Sequence, residues 1–117
     1  MPAASRSTPV RLKRRAEFLR VAARGRKVPM PGLVLQAMAR PDGAAARIGF
    51  TVTKKVGNAV VRNRTRRRLK EAARLQLQEQ PVSGVDLVMI GRDGTRSRDF
   101  RLLRDDIRRA LAKAGVT

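Results

Sequence analysis

The sequence predicts a single α+β domain, in which a helix, a group of strands, a long helix, one more strand and a last helix follow each other around a small sheet. Three observations lead there. With 117 residues, the chain suffices for one compact domain and is too short for two of ordinary size. Apolar residues make up 42% of it and fall in periodic runs, which sets it apart from a basic disordered tail. The period of those runs switches between helical and extended along the chain.

The elements follow in order. Residues 1 to 9 are small and polar with two prolines, and are expected to form a disordered arm ahead of a domain over residues 10 to 115. From Arg11 to Arg24, Leu12, Ala16, Leu19 and Ala23 recur at spacings of four and three, which predicts an amphipathic helix with Phe18 beside its apolar stripe. The next segment, RGRKVPMPG, reads as a loop or a short irregular strand. Gly32 to Arg40 and Arg47 to Lys55 are rich in β-formers and separated by the turn signal PDG, so an antiparallel pair is expected. In the second run Ile48, Phe50 and Val52 point one way, while Arg47, Gly49, Thr51, Thr53 and Lys55 point the other. That polar face is suited to line a cleft.

Gly57 ends the strand, and Asn58 can cap a helix running to about Gln78, before Pro81. Val85 to Ile90 reads as a short buried strand. Ser97 or Asp99 starts a last helix with Phe100, Leu103, Ile107, Ala110, Leu111 and Ala114 on one face, closed by Gly115.

Charge narrows the partner. Lysine and arginine total 28 against nine acidic residues, a formal net charge of +19, which repels itself unless it meets a polyanion. Nucleic acid is the expected partner. Without cysteine, a disulfide framework and a cysteine-bearing zinc finger are both excluded. The start lacks the apolar stretch of a signal peptide, and no run approaches a membrane span, so the expectation is a cytoplasmic protein with no membrane partner. Three phenylalanines, with no tyrosine or tryptophan, leave little for base stacking. Charge must carry most of the binding.

The central helix shows how. At about 100° per residue, Val61, Thr65, Leu69, Ala72, Ala73 and Gln76 share one face, and Asn63, Arg66, Arg67, Lys70 and Arg74 the opposite one. Solvated helices usually mix signs to gain i to i+4 pairs. Lys54 to Lys70 instead carries a cation at 54, 55, 62, 64, 66, 67, 68 and 70 and no acid. Arg62 and Arg64 stand near the helix N-terminus, where the dipole disfavours cations and attracts phosphate.

The stretch RIGFTVTKKVGNAVVRNRTRRRLKEAAR, Arg47 to Arg74, resembles the protein subunit of bacterial ribonuclease P, centred on the arginine-asparagine-arginine motif at Arg62, Asn63 and Arg64. The likeness extends through RLKRRAEFLRV before it and GVDLVMIGR after it, covering about residues 11 to 112. It implies an α/β sandwich on a small mixed sheet, with a crossover of left-handed sense against the usual right-handed rule. It also implies two RNA partners, the catalytic RNA and the 5′ leader of precursor tRNA. By position, Lys54, Lys55, Gly57, Asn58, Arg62, Asn63, Arg64, Arg67 and Arg68 match the catalytic-RNA motif, and the basic helix face adds Arg66, Lys70 and Arg74. Phe18, Thr51 and Thr53 match the leader cleft. Ala22 and Gln36 stand where many members carry aromatics, and Gln36 is counted with the cleft. Gly57 either permits a tight turn or lets RNA approach closely.

No residue is expected to catalyse. Without histidine or cysteine, no side chain is poised for acid-base cleavage near neutrality. Asp105 and Asp106 have Arg104, Arg108 and Arg109 as ready partners for helix salt bridges, and Asp86 and Asp93 read as turn or surface residues. Phe50 and Phe100 read as plain packing residues. The resemblance implies hydrolysis with Mg2+ held by the catalytic RNA and an accessory role for the protein. The competing class is a structural ribosomal protein held by rRNA phosphates.

Overall fold

A computed structural model describes residues 9–116, and within them a five-stranded sheet carries one helix on one face and two on the other. The arm expected over residues 1 to 9 lies outside the described residues apart from Pro9. In chain order the elements are β1 (Val10–Arg11), α1 (Arg15–Arg24), β2 (Arg26–Pro29), β3 (Leu33–Ala39), β4 (Arg47–Val52), a single 3-10 turn (Lys54–Val56), α2 (Ala59–Glu79), β5 (Val85–Gly91) and α3 (Phe100–Lys113). Across the sheet the order is β1-β4-β5-β3-β2. β4 is parallel to both β1 and β5, whereas β3 is antiparallel to β5 and to β2.

The expected hairpin of β3 with β4 does not form, because β5 lies between them. The reason is burial. Every residue of β5 is buried except Ile90, which is partly so, and a strand apolar on both faces gains most at the centre of a sheet. The 40–46 loop therefore spans two strand spacings, roughly 9.6 Å. Asp86 of β5 holds both of its ends: Arg40 Nη1 donates to Oδ1 at 2.9 Å, and Arg47 donates through Nε and Nη2 at 2.8 and 2.7 Å. Asp86, expected at a turn or on the surface, is only 1% exposed.

The first helix differs from its expected stripe. It starts at Arg15, and Ala16, Leu19 and Ala23 are all exposed. The residues turned to the sheet are Phe18 and Val21, which pack with Leu12, Met38, Val88 and Ile90. Alanines gave the false stripe, since they bury little area wherever they point. Leu12 belongs to the extended lead-in and donates its N–H to the Ile48 carbonyl at 2.9 Å. β1 is two residues long and had no sequence signal, and the RGRKVPMPG segment resolves as β2 at the sheet edge.

The larger core lies on the other face. There Leu33, Leu35, Ile48, Leu87 and Met89 meet Leu69, Ala72, Ala73 and Leu77 of α2 and Leu103, Ile107 and Leu111 of α3. Asn58 caps α2, accepting from the Val61 N–H at 3.0 Å. Asp99 caps α3 through the N–H groups of Arg101 and Leu102. Asp105 makes the expected in-helix pair with Arg108. Asp106 does not, for it is buried and ties Arg98 and the Gly32 N–H (2.9 Å) to α3. Phe50 and Phe100 pack against this core but are only partly buried.

Candidate nucleic-acid interface

The basic surface begins where β4 ends. The strand stops at Val52 rather than at Lys55, and Lys54 and Lys55 occupy an exposed 3-10 turn anchored by buried Val56. Gly57 follows at φ +155°, where an added Cβ would come within 2.8 Å of the Val61 side chain. A conformational reason for this glycine is thus present. Arg62 Nη1 donates to the Gly57 carbonyl at 2.9 Å, so one arginine of the motif fastens the turn that sets the helix start.

The other motif residues face outward. Asn63 accepts from Arg66 Nη1 at 2.9 Å, and Arg64 and Arg67 are exposed. Arg68 leans over to α3, donating to the Thr95 carbonyl at 2.7 Å with its guanidinium carbon 5.7 Å from the centre of the Phe100 ring. Arg74 pairs with Glu71, which partly neutralises the far end of the face. Arg64, Arg67, Arg68, Lys70 and Arg74 line an open groove of about 610 Å³ together with Glu71 and Phe100. Burial pushes the Lys70 ammonium below its ordinary value, and the charges of Arg11 and Arg66 add to this. An ammonium so placed is favoured by an anion nearby.

The second surface is the opposite face of the sheet. Strand register sets its rows: Lys27, Gln36, Val88 and Gly49 in one, Pro29, Val34, Ile90 and Thr51 in the next, and Met38, Asp86 and Arg47 beyond Gly49. Phe18 covers Gly49 so closely that a Cβ there would lie 2.4 Å from two ring carbons. Gln36 and Thr51 therefore share one floor with Phe18 at its wall. Thr53 does not, because it lies past the strand end as the residue before the 3-10 turn. Ala22 is exposed one helical turn after Phe18. Lys27, not expected in the cleft, is exposed beside Gln36; its signal was only a lysine in an ambiguous segment.

A charged clasp seats α1 on this floor. Glu17 accepts from the N–H groups of Lys13 and Arg14 at 3.2 and 3.0 Å, and Arg47 Nη1 donates to its other oxygen at 2.7 Å. The backbone hydrogen bonds from Arg14 and Lys13, with the Arg47 charge, hold the Glu17 carboxyl below its usual range. Phe18 is thus placed from both sides, by Glu17 and by Gly49. Gly49→Ala is expected to displace the ring and to cost about 1 to 3 kcal/mol of stability by overpacking, measured by urea unfolding. An unchanged midpoint would show that the ring does not need that space.

Among the described residues, no group of three or more His, Cys, Asp or Glu is placed to hold a metal ion, and no helix is long and apolar enough to cross a membrane.

A basic helix on one side of a sheet and, on the other, a small floor of mixed polar and apolar residues with a lysine at its edge fit a single-domain α+β protein that binds nucleic acid. Comparison with known proteins makes this specific. The family model described as ribonuclease P matches residues 7–115. The ribonuclease P protein component of Gluconacetobacter diazotrophicus is 73% identical over 106 residues, covering 91% of each chain, and that of Paramagnetospirillum magneticum is 50% identical, covering 91% of this chain and 83% of the relative. Among solved structures, the Staphylococcus aureus RNase P protein superposes with a TM-score of 0.75 at 25% identity, covering 93% of this chain and 98% of the other. The Thermotoga maritima protein gives 0.73 at 26% identity, over 88% and 96%.

The chain belongs to the ribonuclease P protein family. It is accordingly an RNA-binding accessory subunit of that endonuclease, with the ribonuclease P RNA as partner, and the ribosomal alternative is set aside.

Proposed function

We propose that the subunit uses its two faces for two RNAs. In this reading, α2 and its 3-10 turn dock the ribonuclease P RNA, and the sheet face beside α1 holds the 5′ leader of precursor tRNA, all within residues 10 to 115. The observation that carries it is geometric: Ile48 and Phe50 face α2, whereas Gly49 and Thr51 of the same strand face away. Two polyanions are thereby kept on opposite sides of one sheet, and both can bind at once. The positive charge lowers their mutual repulsion. Hydrolysis at the start of the mature tRNA, with Mg2+, falls to the RNA, and we place the assembly in the cytoplasm. Buried Asp86 and Asp106 are engaged by arginines, in keeping with metal ions held elsewhere.

Leader recognition rests on Phe18. Stacking is worth roughly 1 to 3 kcal/mol per base, so Phe18→Ala should weaken precursor binding by about that much and leave leaderless tRNA almost unaffected. Phe18→Leu should restore packing against Leu12, Val21 and Val88 but little of the leader affinity. The slope of log affinity against log salt should not change, because every phosphate interaction remains in place. Equal weakening with and without a leader, in a folded variant, would remove Phe18 from the cleft.

A further inference from the structure

We infer that the groove between β1, β4 and α2 is a slot for one unpaired nucleobase of the ribonuclease P RNA. This rests on the reading that α2 docks that RNA, and goes beyond it by naming what enters where. The groove holds about 260 Å³, with Ile48, Phe50 and Leu77 as its floor and Arg11, Lys70 and Arg74 as its rim. It is smaller than the roughly 300 to 1,000 Å³ typical of sites for drug-sized ligands, a scale suited to one ring system.

An apolar floor inside a cationic rim complements a nucleotide, whose base is planar and apolar on its faces and whose phosphates are anionic. Unpaired bases are the parts of RNA that proteins take up against aromatic rings and guanidinium planes, and both are present here. A second copy of this chain, at a formal +19, would be repelled by the same rim. Phe50 is only partly buried although it packs against the core, so part of its ring stays open to the groove.

Continuity selects the RNA. Lys70 and Arg74 line both this groove and the one containing Arg64 and Arg67, so a strand whose phosphates follow the exposed helix face passes the rim. The leader is on the wrong side, since Ile48 and Phe50 point away from Gly49 and Thr51. Lys70 sits among Arg11 and Arg66 with its ammonium disfavoured by burial and by both charges. An anion at the rim relieves that.

The test uses the reconstituted holoenzyme with 4-azidophenylalanine in place of Phe50, and separately in place of Arg67, cross-linked by light and mapped by primer extension. The expected result is a stop at one unpaired nucleotide of the ribonuclease P RNA from position 50. With that nucleotide made abasic, Phe50→Leu, which otherwise weakens assembly roughly five- to 150-fold, should cost nothing further. A purely structural Phe50 would show the same loss with and without the base. Cross-linking from position 67 but not from 50, or from 50 only to residues 1 to 8 of the chain itself, overturns the slot while leaving the docking face intact. Cross-linking from neither position overturns both.

Discussion

Arg64→Ala combined with Arg67→Ala is expected to weaken assembly on the ribonuclease P RNA by about two orders of magnitude or more. Hydrogen bonds to charged groups contribute roughly 1.5 to 3 kcal/mol each, and both side chains are exposed. The free protein should unfold at an unchanged or higher temperature, because removing both relieves like-charge repulsion at i,i+3 and i,i+4 with each other and with Arg68 and Lys70. The salt slope should fall by about 0.9 for each duplex phosphate no longer neutralised, or by about 0.7 where the phosphate belongs to a single strand. Arg62 is left out of the pair because its bond to the Gly57 carbonyl mixes docking with local structure. Intact assembly with lower stability would assign the two arginines to the fold instead.

Asp86→Ala is expected to destabilise the free protein by about 3 to 5 kcal/mol, the usual cost of leaving buried partners uncompensated. Its carboxylate is 1% exposed and joins Arg40 and Arg47 across the sheet. Burial alone would raise its pKa, but the hydrogen bonds and charges of Arg47 and Arg40 outweigh that and hold it below the usual carboxylate range. A carboxyl that ionises more readily folded than unfolded contributes stability above its unfolded pKa of about 3.9, and loses it as pH falls through the folded value. Urea midpoints from pH 6 to pH 2 should therefore decline more steeply for the native chain than for Asp86→Asn. Parallel declines would show that Asp86 does not carry this linkage.

The two longer helices were legible in the sequence. α2 and α3 follow their periodicity and caps, with Asn58 and Asp99 in their expected places. α1 was legible only in existence, because Ala16 and Ala23 count as apolar without needing burial, and Phe18 and Val21 do. The neighbours of β3 and β4 were not legible, since PDG marks a turn but not whether a third strand enters between its arms. Asp86 and Asp106 were misread for a related reason: their arginine partners lie 46, 39 and 8 residues away, and such pairing has no local signal. The basic face of α2 was readable because charge of one sign repeats along one helix. On the opposite face of the sheet, alternation puts Gln36 and Thr51 on the same side, as the sequence suggests, while Thr53 lies past the end of the strand.

Reconstitution at low Mg2+ addresses the accessory role most directly, using leader-bearing precursor tRNA with the chain alone, the cognate ribonuclease P RNA alone, and both together. The predicted result is no 5′ maturation by the nuclease-free protein, slow processing by the RNA, and a large gain when the two are combined, greater for leader-bearing than for leaderless binding. Maturation by the RNA-free protein, or processing by the RNA that the protein leaves unchanged, would contradict it.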